Sequence, residues 1–193
     1  MKTIFFDIDS QLDFLYPAGA LYVPGAERIV STIAGLNRYA AAHGIPVIST
    51  TDAHAEDDPE VQQWPPHCVA GTIGQHKAEA TLLEKRLVVP NRDCALALDG
   101  VPQIVVEKQQ VDVFTARNLA RVIEHLGADA FVVYGVVTEI CVMLAARGLL
   151  RYGKPVTIVT DAVRSLTDEA SARSLAEFRA VGGTLATASE IAP

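Results

Sequence analysis

Five side chains of complementary chemistry stand just past apolar runs of this chain: Asp9, Asp52, His54, Lys108 and Cys141. A cysteine attacks a carbonyl as its thiolate, an aspartate can take the thiol proton, and a lysine ammonium lowers the thiol pKa through its charge. Asp9, Lys108 and Cys141 therefore form a candidate set for covalent acyl transfer. With Thr138 as a helix N-cap, Cys141 falls in the first turn, where free N–H groups and the helix dipole favour a thiolate and an oxyanion. Among the five histidines, His43 and His125 lie near the amino ends of strands, which disfavours a Cys/His pair and leaves Asp9 as the base.

Asp52-Ala53-His54 spaces two metal-ligand types by two residues, so both point to one face of an extended backbone. His67 is a third candidate. It sits in Trp64-Pro65-Pro66-His67-Cys68, where two prolines restrict the backbone and present the imidazole at little entropic cost. One Asp and two His with open positions suit a divalent metal ion, Zn²⁺ first, Fe²⁺ or Mn²⁺ as alternatives. Each group alone also has a plainer reading: a turn-capping aspartate, a solvated lysine, a small core cysteine, a hydrogen-bonded Asp/His loop. Phe14 and Trp64 flank these segments as walls for a planar ring, or as ordinary core aromatics. Cys68 and Cys94 read as structural thiols.

For such groups to meet, strand ends must share one edge. Short β-rich runs at Thr3–Ile8, Pro46–Thr51, Ile104–Glu107, Ala130–Tyr134, Val156–Thr160 and near Gly183–Ala186 alternate with helical periods at Ala26–His43, Thr115–Leu126, Thr138–Tyr152 and Asp168–Val181. The alternation predicts an α/β, Rossmann-like three-layer sandwich, its mostly parallel sheet of about six strands flanked by helices. Ligands of an open parallel sheet bind outside the carboxyl ends of its strands. Asp9 follows the first strand, Asp52 and His54 the second, Lys108 the third, and Cys141 comes just after the fourth. Asp52 to Pro102, broken by Pro and Gly without a strong period, reads as long structured loops.

The composition sets outer bounds. Half of the 193 residues are hydrophobic and no repeat or linker divides them, so residues 1–193 are expected to form a single domain. Apolar runs fall short of the ~18–20 residues of a membrane span. A net charge of -7 without a Lys/Arg block speaks against nucleic acid and anionic lipid as partners. Asp7 and Asp9 interrupt the first apolar segment, unlike a signal peptide, and three cysteines are a sparse, odd set. The expectation is a soluble cytoplasmic protein with reduced thiols, able to assemble as a homo-oligomer.

Taken together, these segments resemble the isochorismatase-like cysteine hydrolase family, and within it the nicotinamidases, from the first strand to about Ala162. The family's Asp-x-Gln-x-Asp-Phe matches Asp9-Ser10-Gln11-Leu12-Asp13-Phe14, and its metal segments match Asp52-Ala53-His54 and Trp64-Pro65-Pro66-His67-Cys68. Its lysine matches Lys108, and its Gly-Val-x-Thr-(Asp/Glu)-x-Cys-Val matches Gly135 to Val142. The resemblance implies a triad of Asp9, Lys108 and Cys141 and a metal set of Asp52, His54 and His67. It also implies a cis peptide between Val136 and Val137, with the Val137 and Cys141 N–H groups as oxyanion hole. Glu56, Asp57, Asp58 and Glu60 are the acids available as a further ligand. The implied activity is release of ammonia from a small, aromatic carboxamide such as nicotinamide; other family substrates are different amides, lactams or vinyl ethers.

Two rival readings use the same residues. Phe5-Phe6-Asp7-Ile8-Asp9-Ser10 also matches the first motif of haloacid-dehalogenase-type phosphatases, with Asp7 as nucleophile and Asp9 as acid/base. Those enzymes need later paired acids for Mg²⁺, and Val156 to Ala162 offers only Asp161. A non-catalytic binding module predicts loss of a reactive group, and none is lost.

Overall fold

The computed structural model describes residues 2–193. Its strands are β1 (Thr3–Ile8), β2 (Val47–Asp52), β3 (Arg86–Val89), β4 (Gln103–Lys108), β5 (Ala130–Val136), β6 (Val156–Arg164) and β7 (Thr184–Ala186). Its α-helices are α1 (Leu12–Leu15), α2 (Val30–Ala42), α3 (Leu119–Leu126), α4 (Met143–Leu150), α5 (Asp168–Ala180) and α6 (Ala188–Ile191). The strands form one parallel sheet in the order β3-β4-β2-β1-β5-β6-β7. β5 is buried along its whole length, as expected of a central strand covered on both faces. No helix among the described residues is long and apolar enough to cross a membrane.

The chain leaves β1 in one direction, through α2 to β2, and later returns past β1 to build β5, β6 and β7 on its other side. Right-handed crossovers running in opposite directions put α2 on one face of the sheet and α3, α4 and α5 on the other. The carboxyl ends of β1 and β5 therefore part around a crevice, the switch point where such sheets bind ligands.

The α/β sandwich matches the sequence expectation, with seven strands in place of about six. The additional strand, β3, has four residues at the sheet edge with Arg86 and Val88 exposed, too short and too polar to register as an apolar run. Other boundaries move for local reasons. Asp112 accepts the N–H of Phe114 at 2.9 Å and closes a 3-10 turn, so α3 begins at Leu119 and not at Thr115. Ala26–Ile29 is a separate 3-10 turn before α2. β6 runs on to Arg164 after a register shift against β5. Helix formation after β5 starts with a π-helical turn, Thr138–Val142, and continues as α4.

Gly135 shows how closely β1 and β5 meet at the crevice. It lies beside Ile8 with φ 121°, and a Cβ there would stand 2.0 Å from the Ile8 carbonyl oxygen. Backbone cannot give way as a side chain can. Gly135→Ala is expected to cost about 3 kcal/mol or more, read as a lower urea midpoint; an unchanged midpoint would contradict this packing.

Candidate active site and metal centre

Asp52 and Lys108 are direct register partners at the ends of adjacent strands β2 and β4. Equal height in the sheet lets the Lys108 ammonium bond Asp52 Oδ1, and Asp9, past the end of β1, brings Oδ2 to 3.0 Å from the same nitrogen. All three residues are buried. Burial alone would push the Lys108 pKa down, but the carboxylates of Asp52 and Asp9 overrule it and hold the ammonium well above its ordinary range. Burial pushes the Asp52 carboxyl up, against the pull of Lys108.

Asp9 occupies the left-handed region, φ 47°, where the chain turns out of β1 and the Gln11 N–H closes on the Asp9 carbonyl at 2.7 Å. Uncommon backbone of this kind collects at functional sites. The remaining residues of the opening motif hold neighbouring segments. The Gln11 side-chain oxygen accepts the Asp52 N–H at 2.7 Å while its amide donates to the Asp52 carbonyl at 2.9 Å, fastening the end of β2. Asp13 accepts the N–H groups of Cys68 at 2.7 Å and Ala20 at 2.9 Å, tying the His67 loop and the segment after α1 to the same turn.

Cys141 lies in the π-helical turn after β5 and keeps part of its surface toward the crevice. Burial pushes its thiol well above the ordinary value, Lys108 draws it back, and the charges of Asp9 and Asp52 add to the rise. Burial and the two carboxylates thus work against the support that the helix dipole and Lys108 give a thiolate. The Thr138 cap is corrected: Val137 holds the N-cap position, and Thr138 Oγ1 is buried without a partner. The Val136–Val137 peptide is cis, and the Val137 carbonyl accepts the N–H groups of Ile140 and Val142, both at 3.1 Å.

Beside this cluster, ligand atoms of Asp52, His54 and His67 lie within 4.8 Å of one another. The histidines are oriented from behind: His54 Nδ1 is 3.3 Å from Asp58 Oδ2, and His67 Nδ1 is 2.8 Å from the Pro65 carbonyl. An Nδ1–H donated to those oxygens leaves each Nε2 lone pair free for a metal. His54 Nε2 is buried without a hydrogen-bond partner, as is Glu60 Oε2. Burial first, then the Asp52 charge, raises the Glu60 carboxyl. These orphaned acceptors fit a divalent cation. Of the four acids named from sequence, Asp58 turns to His54, Glu60 faces the crevice, and Glu56 and Asp57 are exposed.

The crevice is a narrow pocket of about 70 Å³. Cys141, Val137, Asp52, Glu60 and His67 line it together with both aromatics named from sequence, Phe14 and Trp64. Phe14 also packs on the His67 ring, centroids 5.4 Å apart. Leu21, Tyr22, Val23, Val111, Ile140 and Leu166 complete the walls, and no Lys or Arg is among the lining residues. Leu21, Tyr22, Val23, Val111 and Leu166 carried no signal in the sequence because each comes from a segment without a motif, and Ile140 stands at an unspecified position of the Gly135–Val142 motif. A larger groove of about 640 Å³ lies around Lys2, Pro46, Pro102 and His125 at the amino ends of the strands, with no nucleophile in its lining.

The rival phosphatase nucleophile is out of reach. Asp7 is fully buried, its Oδ2 bonded by Asn37 at 3.2 Å and Ser49 at 3.1 Å and paired with Lys77 at 3.4 Å.

Removing the shared cation would strand two buried carboxylates. Lys108→Ala is expected to lose about 3 to 5 kcal/mol in denaturant unfolding. In the folded fraction the Cys141 thiol should move further up, so that iodoacetamide alkylation reaches its plateau at higher pH. An alkylation profile equal to that of the unsubstituted protein would remove Lys108 from the thiol's surroundings.

Residues 3–190 match the Isochorismatase domain. The nicotinamidase PncA crystal structure from Bacillus subtilis superposes with a TM-score of 0.84, 26% identity, and coverage of 96% of this chain and 99% of that one. The pyrazinamidase of Pyrococcus horikoshii in complex with zinc shares the fold, with a TM-score of 0.80, 24% identity, and coverage of 97% and 99%. A maleamate amidohydrolase of Pseudomonas putida is 28% identical over 159 residues, 81% of this chain and 69% of that protein. A chain matched along nearly its whole length, with these groups at its switch point, belongs to the isochorismatase family of hydrolases.

Proposed function

We propose that this protein is a metal-containing cysteine amidohydrolase releasing ammonia from a small, uncharged, planar carboxamide such as nicotinamide. The observation that carries the reading is the meeting of Asp9, Lys108 and Cys141 at the foot of an apolar pocket that Asp52, His67 and Glu60 also line, with His54 buried beside Asp52 and His67. On this reading residues 1–193 act as one catalytic domain in the cytoplasm, with all three cysteines free.

In the first half of the reaction Asp9 takes the Cys141 proton and the sulfur adds to the amide carbon. The Val137 and Cys141 N–H groups receive the oxyanion. Asp9 returns the proton to the departing nitrogen, ammonia leaves, and a thioester remains. In the second half Asp9 takes a proton from water, hydroxide adds to the thioester, and the carboxylic acid leaves as Cys141 regains its proton. Lys108 keeps a positive charge beside both the sulfur and Asp9 throughout. Phe14 and Trp64 stack against the flat substrate.

Asp52, His54, His67 and Glu60 would hold the divalent ion, zinc first, iron or manganese as alternatives. When bound, it would offer a coordination position to a substrate ring nitrogen or water. A small anionic amide, suggested by the Pseudomonas relative, is the second reading. The pocket serves it less well, since no lysine or arginine lines the walls to meet a carboxylate.

Ammonia release should be measured over nicotinamide, pyrazinamide, maleamate and aliphatic amides. Nicotinamide or pyrazinamide should lead, and Cys141→Ala should lower turnover at least about a thousandfold with the fold retained. Activity near that of the unsubstituted protein in Cys141→Ala would end the covalent mechanism, and maleamate in first place would favour the second reading.

For the metal, dialysis against a chelator should abolish turnover while leaving Cys141 open to alkylation, and added Zn²⁺, Fe²⁺ or Mn²⁺ should restore it. Glu60→Ala should weaken metal affinity by about 10- to 100-fold, measured by competition with a chromogenic chelator. Full turnover by metal-free protein would refute the metal's part.

A further inference from the structure

Asp9 is held on two sides by a single hydroxyl that the mechanism above does not use. Thr50 lies in β2, next to β1, and is fully buried. Its Oγ1 stands 2.6 Å from Asp9 Oδ1 and 3.1 Å from the Asp9 backbone nitrogen. The chemistry of the three atoms decides the direction of both bonds. A backbone N–H can only donate, so the hydroxyl oxygen accepts from it, and the hydroxyl proton is left to be donated to Oδ1. The carboxylate thus meets a donor on Oδ1, and a proton on that same oxygen would oppose the hydroxyl's own.

Oδ2 is left for the chemistry. It has no partner but the Lys108 ammonium at 3.0 Å, and the Asp9 carboxylate is within hydrogen-bonding reach of the Cys141 thiol. We infer that Thr50 is a positioning residue for the general base: its hydroxyl reserves Oδ1, holds the left-handed Asp9 backbone, and leaves Oδ2 to carry the proton to and from Cys141. This inference rests on the amidohydrolase reading, within which Asp9 is that base.

Thr50 is itself firmly placed. Its carbonyl accepts from the buried Lys77 ammonium at 3.0 Å, and Lys77 is paired with Asp7. The branched Cβ leaves the side chain few rotamers in a strand. The hydroxyl is therefore delivered by a rigid element, and a displaced hydroxyl would let the carboxylate rotate away from the sulfur. Small errors in the placement of a base carry large costs in rate.

The test compares Thr50→Val, which keeps the shape and removes the hydroxyl, with Thr50→Ser, which keeps the hydroxyl. Two quantities are read: kcat and KM for the amide the unsubstituted protein turns over best, and the rate of Cys141 alkylation by iodoacetamide, followed on the Cys141 peptide by mass spectrometry. Thr50→Val should lower kcat by about 10- to 100-fold, within the range of general acid–base contributions, with KM within about threefold of the unsubstituted value. Its alkylation rate should fall about tenfold. Thr50→Ser should stay within about fivefold on both. Melting curves confirm that each variant is folded, and Thr50→Ala takes the place of Thr50→Val if the latter does not fold.

Unchanged kcat and alkylation in Thr50→Val, alongside turnover by the unsubstituted protein, would overturn the role of Thr50 alone. A Thr50→Ser variant as impaired as Thr50→Val would overturn it too, showing that packing and not the hydroxyl matters. If the unsubstituted protein released no ammonia from any amide while alkylation still followed the hydroxyl, the amidohydrolase reading would fall and the placement of Asp9 by Thr50 would stand.

Discussion

The buried ammonium of Lys108, held between the carboxylates of Asp9 and Asp52, is the constraint around which the site is arranged. Charges are removed from water at a cost of several kcal/mol each, and the cost is met only where opposite charges meet in good geometry. Parallel strands in register supply that geometry. Asp52 and Lys108 end neighbouring strands at equal height, and the turn after β1 brings Asp9 to the same nitrogen. A shift of one residue in either register would turn a charge to the opposite face of the sheet.

The same ammonium joins two groups of side chains. Asp9 stands on the side of the thiol and Asp52 on the side of the histidines, so the charge of Lys108 reaches both. Burial pushes the Cys141 thiol up despite that positive charge.

The opening motif divides its labour. Asp9 is aimed at the thiol, Gln11 fastens the backbone of Asp52, and Asp13 fastens the loop that carries His67. Three alternate residues of one turn thus draw β1, β2 and the His67 loop together. Their spacing reflects this shared anchoring as much as the chemistry of the first aspartate.

The amino-acid sequence by itself determined the α/β class, the strands that end in Asp9, Asp52 and Lys108, and the order in which Cys141 follows β5. Apolar runs buried on both faces and reactive residues just past them are local signals, readable along the chain. The edge strand β3, the π-helical turn at Cys141 and the capping role misassigned to Thr138 were decided by packing and backbone hydrogen bonds. The grip of Thr50 on Asp9 joins residues 41 positions apart, and the placement of Glu60 at the crevice, with Glu56 and Asp57 exposed, depends on the path of a loop. The direction in which the Cys141 thiol shifts depended most on tertiary structure: the sequence places a cation and two carboxylates within reach, but only the depth at which they are buried decides which effect prevails.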